Sequence, residues 1–321
     1  MYYFKLEELK TISESKIEEI GKERYLFLKV KRADIILLLY DAGELLADIP
    51  LYISDIPQIE NKKTAYLGFI HPKTPEITQS DKKMILNLAE IYLRKLKVEK
   101  IVTPLDRDTW SEYRIKTKSI LNKSFYGEPK NTDAWLYDHN KYNKKYNYIS
   151  TLNDLNFRKE KNIDDINFRY ITKDTIDKDI EEIYTLSTEE FKNNLFYGDI
   201  QKEIFISQYL DLFNKLKPDI LVAEKDNQII GFLLGFYAEN YIVGKKTYVM
   251  KTIAVKSNFR GLGIGNELYK RLGNRVFTAG CTKIIGALIY QDNCSYKIAT
   301  KYENTEILSE YALYEKDLRK D

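Results

Sequence analysis

The glycine-rich stretch from Arg260 to Gly265, which has the sequence Arg-Gly-Leu-Gly-Ile-Gly, constrains the fold of this chain more than any other feature. An apolar run, Val249 to Val255, precedes it. After it, apolar residues recur every four positions, as on one face of a helix: Ile264, Leu268, Leu272 and Val276. Strand, glycine loop and helix in this order place backbone amides at a helix N-terminus, where a phosphate group binds well.

Two known phosphate-binding loops fit this stretch poorly. A dinucleotide fingerprint that starts at Gly261 requires a glycine where the chain has Asn266, and the run Ile284 to Ile289 has no carboxylate for a ribose. A Walker loop requires Gly-Lys-Ser/Thr, whereas Gly265 is followed by Asn266 and Glu267. On the loop alone, an ordinary glycine-rich turn between strand and helix stays open as the alternative.

The loop resembles the acyl-CoA-binding motif of the GNAT superfamily of N-acetyltransferases, Arg/Gln-x-x-Gly-x-Gly/Ala, over Arg260 to Gly265. Downstream, Ile284 to Ile289 resembles the fifth strand of that family, and Asn293 resembles the asparagine that opens its next helix. The run Tyr311 to Lys316 resembles its last strand. Motif, order and spacing agree over about residues 167 to 318.

Length and charge describe a soluble globular protein. The 321 residues suffice for two domains of about 150 residues each. With 51 basic and 48 acidic residues the net charge is +3, which gives no reason to expect nucleic acid or a membrane as partner. The N-terminus has charges where a signal peptide would be apolar, so we expect a cytoplasmic protein. The Tyr- and Lys-rich run Asn140 to Tyr148 favours rings packed on the core over a surface that stacks nucleic-acid bases.

Cysteine and histidine are scarce. Two cysteines, Cys281 and Cys294, predict reduced thiols rather than a disulfide framework. His71 and His139 lie outside the part that resembles the acetyltransferases. No His/Cys cluster has the spacing of metal ligands, so we expect no metal.

The periodicity of the second half predicts strand, two helices, three strands, helix, strand, helix, strand. The first half repeats the central part of this order, but His71 to Ser80 replaces the glycine loop with a segment that has two prolines. Prolines supply neither flexible φ nor free amides for a phosphate. We therefore predict an α/β fold with mixed sheets in two tandem GNAT-like domains. Residues 1–155 would be a degenerate copy without cofactor, and residues 156–321 the catalytic domain.

The resemblance implies acetyl-CoA as the acetyl donor. Amides of the glycine loop would bind its pyrophosphate, with the charge of Arg260 nearby, and the backbone of Ile253 and Val255 would align the pantetheine arm. For Asn293 and Ser295, helix capping is the alternative to a ligand role. The implied cofactor-binding residues are Ile253, Ala254, Val255, Arg260, Gly261, Leu262, Gly263, Ile264, Gly265, Asn266, Asn293 and Ser295.

The proton donor departs from the family pattern. A tyrosine usually stands seven residues after the asparagine, where this chain has Thr300. Tyr296, Tyr302 and Cys294 are nearby, and Tyr302 is the predicted general acid because it lies toward the end of the same helix. Protonation of the departing thiolate by water is the alternative.

The segment Ser187 to Tyr197 occupies the part that closes over the acceptor in this family. Glu189 and Asp292 would attract a cationic amine, and Phe191 and Tyr197 would cover its apolar parts. A solvated helix face is the alternative for the glutamate.

These observations predict an acetyl-CoA-dependent N-acetyltransferase that acts on a primary amine of a small molecule or peptide, as a monomer or a homodimer. The tandem layout resembles self-resistance acetyltransferases for amine-rich peptide antibiotics such as zwittermicin, edeine and paenilamicin. Acetylation of protein lysines or N-termini is a second hypothesis. A non-catalytic acetyl-CoA sensor is a third, because position 300 lacks the tyrosine.

Overall fold

A computed structural model describes residues 1–300 and 304–319, apart from the side chains of Asn240, Cys294 and Ile298. Its strands join one mixed sheet. The strands of the first half are β1 (Tyr2–Glu8), β2 (Ile35–Asp41), β3 (Glu44–Tyr52), β4 (Thr64–Leu67), β5 (His71–Pro72), β6 (Lys100–Thr103), β7 (Ile115–Ser119) and β8 (Asn143–Asp154). Those of the second half are β9 (Asn167–Tyr170), β10 (Asp219–Lys225), β11 (Gln228–Ile242), β12 (Lys245–Val255), β13 (Lys283–Tyr290) and β14 (Glu306–Asp317).

Helices cover both faces of the sheet. They are α1 (Glu14–Ile20), α2 (Lys22–Val30), α3 (Gln79–Lys95), α4 (Ala134–His139), α5 (Ile176–Phe191), α6 (Lys202–Leu216), α7 (Ile264–Thr278) and α8 (Cys294–Ala299). A short 3₁₀ turn, Ser257–Phe259, precedes the glycine loop. In the part of the chain described, no helix is long and apolar enough to cross a bilayer.

The predicted fold class is confirmed: the second half has the predicted order of elements, and the first half has the same order with β5 and β7 added. All four periodic residues of α7 are buried: Ile264, Leu268, Leu272 and Val276. They pack on one face of the second half of the sheet together with Tyr248 and Met250, while α5 and α6 cover the opposite face through Ile180, Ile183 and Phe205.

The two halves exchange their last strands. Across the sheet the order is β1-β2-β3-β4-β6-β14-β8-β13-β12-β11-β10-β9. Strand β14, the last of the second half, pairs with β6, and β8, the last of the first half, pairs with β13. Counted inward from the two edges, equivalent strands of the halves occur in the same order: β1 and β9, β2 and β10, β3 and β11, β4 and β12, β6 and β13, and finally β14 and β8. The halves are therefore related by a pseudo-twofold axis between β14 and β8.

Each hydrophobic core therefore contains residues of both halves. Phe125 and Leu152 belong to the core under α5 and α6, and Ala312 and Tyr314 belong to the core of the first half. The tyrosines of the run Asn140 to Tyr148 are buried, with Tyr142, Tyr146 and Tyr148 only 4%, 6% and 5% exposed. Packing of these rings on the core is confirmed.

The charged linker between the halves, Arg158 to Asp165, is hydrogen-bonded to α7. Buried Asn274 accepts a hydrogen bond from the amide of Arg158 at 2.8 Å and donates one to its carbonyl at 2.7 Å. Glu267 accepts a hydrogen bond from the amide of Lys161 at 2.8 Å. The charged linker is thus a third layer over this helix.

We expect Asn274→Ala to lower the free energy of unfolding by about 1–3 kcal/mol, since it removes two hydrogen bonds between the buried Asn274 side chain and the half-buried backbone of Arg158. Exposed Asn162 lies on the same linker, and Asn162→Ala should cost less than about 0.5 kcal/mol. Urea unfolding measures both. Equal midpoints for the two variants would contradict the role of Asn274.

Candidate functional site

Strands β12 and β13 separate beside the glycine loop. They pair in parallel only from Thr247 opposite Lys283 to Met250 opposite Gly286, although both strands continue beyond this point. The amide of Lys256 donates to β11 at 2.8 Å. Because backbone groups alternate along a strand, those of Ile253 and Val255 point to the other side, toward the opening. This free edge can accept an extended ligand as an added strand.

The glycine loop lies directly beyond this edge. Gly261 and Gly263 have φ of 86° and 85°, and a Cβ on either would meet no atom within 4 Å. A Cβ on Gly265 would lie 3.6 Å from the Ile253 side chain and 3.8 Å from that of Val255. Helix α7 starts at Ile264, and no side chain in the described residues caps its N-terminus. Open space and positive helix dipole coincide, as an anionic phosphate requires.

Arg260 is held by an acidic partner. Its Nη2 lies 2.5 Å from Oε2 of Glu190, whose other oxygen accepts a hydrogen bond from the amide of Ser257 at 2.8 Å. The Arg260 side chain is still 61% exposed. Glu190 therefore joins α5 to the glycine loop and orients the arginine.

In the first half, the place equivalent to the opening between β12 and β13 and to the glycine loop is filled. β4 and β6 stay connected, because the amide of Leu105 donates to the carbonyl of Leu67 at 2.8 Å. The N-terminus of α3 is closed by a capping box in which Thr78 and Asp81 bond each other's backbone. A carboxylate thus takes the place that a phosphate would need. Asp106 blocks further space, since a Cβ on Gly68 would lie 2.0 Å from its Oδ1.

The predicted residues after β13 are only partly described. Asn293 precedes α8 without a side-chain capping bond, and Ser295 is half-buried in that helix. Tyr302, the predicted general acid, lies outside the described residues. Asp292 is exposed, and its carboxylate beside Tyr290 adds to burial in raising the pKa of that phenol to about 12.

Of the other predicted acceptor residues, Glu189 is exposed at the end of α5, whereas Phe191 and Tyr197 are half-buried. Both rings pack on Trp110 of the first half, with centroids 6.2 and 6.0 Å away. Trp110 also donates from Nε1 to the carbonyl of Gly198 at 2.8 Å. The first half thus supports the segment that was predicted to close over the acceptor.

Two features of the site were missed from the sequence. Lys251 is the extra residue of a bulge in β12, because Thr252 is opposite Leu234 and Met250 is opposite Gly235. The loop between β7 and α4 covers this bulge with Tyr126 and Gly127. One charge within an otherwise apolar run was the available signal for Lys251. The loop comes from the other half of the chain and had no sequence signal.

Comparison with known proteins agrees with this geometry. Residues 179–295 match the acetyltransferase (GNAT) family. An acetyltransferase from Pectobacterium atrosepticum is 36% identical over 87 residues, which are 26% of this chain and 57% of that protein's length. An acetyltransferase from Photorhabdus laumondii is 28% identical over 141 residues, covering 44% of this chain and 90% of the relative.

A solved structure shares the fold over nearly the whole chain. The GCN5-related N-acetyltransferase from Anabaena variabilis aligns with 98% of this chain and 73% of its own, with a TM-score of 0.60 and 8% identity. At that identity the likeness concerns the fold. The family match and the two relatives thus show that a part of this chain, residues 179–295, is similar to GNAT acetyltransferases, and the solved structure shows a shared fold.

Proposed function

We propose that this protein transfers the acetyl group of acetyl-CoA to a primary amine of a small molecule or peptide. We further propose that the cofactor-binding residues all lie in the second half of the intact chain, residues 156–321. The observation that carries the proposal is the opening between β12 and β13, which ends at an uncapped helix N-terminus with two open glycine positions. The first half has neither of these features in the described residues, since its strands stay bonded and α3 is capped.

Acetyl-CoA would supply the activated acetyl group as a thioester. The free edge at Ile253 and Val255 would align the pantetheine arm, and the amides from Gly261 to Asn266 would hold the pyrophosphate. Alignment of the thioester beside a neutral amine accounts for a large part of such a rate enhancement. Tyr302 remains our prediction for the group that protonates the departing thiolate.

The acceptor would approach β12 from the face of the sheet that α5 and α6 cover, which we call the acceptor side. Its surroundings favour a small or extended acceptor over a folded protein surface. Phe125 of the loop between β7 and α4 is buried in the core of the second half, 5.9 Å from the Tyr241 ring. Tyr126 lies 6.3 Å from Phe236 in an edge-to-face contact. This loop narrows the approach to β12 from the side of α5. Amine-bearing antibiotics remain the narrower prediction for the acceptor.

Release of free coenzyme A, followed with a thiol reagent, tests the proposal on a panel of polyamines, amino acids, short peptides, amine antibiotics and a folded lysine-rich protein. We expect turnover with at least one small amine or peptide. Turnover only with the folded protein would support protein acetylation instead. Tight acetyl-CoA binding without turnover of any acceptor would support a sensor.

A further inference from the structure

Lys251 and Arg114 face the opening between β12 and β13 from its two sides. Lys251 directly follows Met250, the last residue of β12 that pairs with β13. Arg114, from the first half, donates from Nη1 to the carbonyl of Leu288 on β13 at 3.2 Å. We propose that these two cations bind an anionic group of the acceptor, a carboxylate close to its reacting amine. The proposal rests on the proposed acetyl transfer and narrows its acceptor class to amino acids and related zwitterions.

Lys251 has no acidic partner among the residues described. Its side chain extends over Gly127, where a Cβ would lie 2.6 Å from Nζ, and Nζ is 5.8 Å from the centre of the Tyr126 ring. Burial and, secondarily, the charge of Arg114 lower the pKa of Lys251 to about 8. At pH 7 roughly nine tenths of this amine would still be charged.

Arg114 is the more deeply buried of the two, with 6% exposure. Its guanidinium lies 3.9 Å from the centre of the Tyr113 ring and 4.6 Å from that of Tyr148. Nε is buried and has no hydrogen-bond partner in the described part of the chain. A buried charged group with an unused donor is costly unless a ligand supplies the acceptor.

The carboxylate next to Gly127 does not neutralise this pair. Glu128 lies 3.1 Å from Nζ of Lys116 and also accepts a hydrogen bond from the Tyr311 hydroxyl. Two like charges therefore face the same opening without a counter-charge assigned to them. Such a pair is stabilised by an anion that enters with the ligand.

The phosphates of acetyl-CoA are not the expected anion. The glycine loop leads into α7, which packs with Tyr248 and Met250 on one face of the sheet. Val249 and Phe236 pack with α5 on the opposite face, and Nζ of Lys251 lies over the Tyr126 ring, which contacts Phe236. The cations thus face the acceptor side of the opening.

Matched acceptors that carry either a carboxylate or the corresponding amide test this inference. L-Lysine and L-lysinamide, β-alanine and β-alaninamide, and glycylglycine and glycylglycinamide are compared by kcat/KM in the full chain. For at least one pair we expect the carboxylate member to be preferred by roughly tenfold or more, the size of one charge-assisted hydrogen bond. Lys251→Met should remove this preference, mainly through KM, and leave the amide member within about twofold.

Lys245→Met is the matched control, because Lys245 is an exposed lysine at the start of the same strand. It should keep the preference. Equal kcat/KM for every pair in the unmodified chain, or a preference that survives Lys251→Met, would overturn the inference. Acetyl-CoA binding by calorimetry should be unchanged in both variants.

A second readout separates this inference from the proposed function. Amine-reactive labelling at pH 7, read by mass spectrometry with acetyl-CoA bound, reports the access of Lys251 directly. Slower labelling of Lys251 with the carboxylate members than with the amide members supports the anion site even if no amine is acetylated. Equal labelling with both members contradicts it, whether or not the protein turns over other acceptors.

Discussion

Gly263→Val should weaken acetyl-CoA binding by at least about 100-fold in isothermal titration calorimetry. Gly263 has a φ of 85°, which a β-branched residue rarely adopts, and the space beside it is open. The valine side chain would fill the space that the pyrophosphate requires and turn the amides at the start of α7 away from it. Retained binding, within about threefold, would contradict the assignment of the loop.

Gly280→Val is the matched control, because Gly280 lies just past the other end of α7 with the same φ of 85° and the same open surroundings. It carries the same backbone strain, of order 1–3 kcal/mol, without contact to the proposed phosphate site. We expect it to lower the thermal midpoint about as much as Gly263→Val and to bind acetyl-CoA normally. Equal loss of binding in both variants would indicate a general effect of strain.

Separation of the chain at the predicted boundary should abolish folding of either half on its own. A fragment of residues 156–321 lacks β8, so β13 would become an open edge, and its core would lose Phe125 and Leu152. Residues 1–155 lack β14 and with it Ala312 and Tyr314. Buried side chains of the size of leucine and phenylalanine contribute roughly 1.5–3 kcal/mol each, and total stabilities are only about 5–15 kcal/mol.

Co-expression of the two fragments is the control. Strand exchange predicts that they co-purify as a one-to-one complex that binds acetyl-CoA with nearly the affinity of the intact chain. Size-exclusion chromatography and calorimetry measure both properties. A monomeric, folded fragment of residues 156–321 that binds acetyl-CoA would show that the exchanged strands are dispensable.

The sequence predicted a cofactor site at the glycine loop because the signals for it are local. A helix with Ile264 and Leu268 on one face requires only a period of about four, and a glycine loop before it requires only neighbours in the chain. In the structure α7 runs from Ile264 to Thr278 and so contains all four periodic residues. The prediction that the first half lacks a cofactor loop also rests on a local signal, the prolines in place of glycines.

Other parts of the site depended on contacts between distant segments. Arg260 was expected to face phosphates, and the structure adds an ion pair with Glu190, seventy residues away in sequence. Lys251 stood out only as one charge in an apolar run, because a bulge adds one residue to a strand without any turn or breaker residue to mark it. The loop that carries Tyr126 lies beside it only in the folded chain.

Sequence alone therefore determined the order of elements in the second half, the central part of that order in the first half and the place of the glycine loop, since hydrophobic periodicity and backbone freedom are properties of short segments. Only the tertiary structure decided that β8 and β14 change places across the pseudo-twofold axis. Alternation within a strand indicates which of its faces is buried and does not specify its partner strand, which depends on contacts between distant segments. The same exchange brings Arg114 and Lys251, from different halves, to one opening.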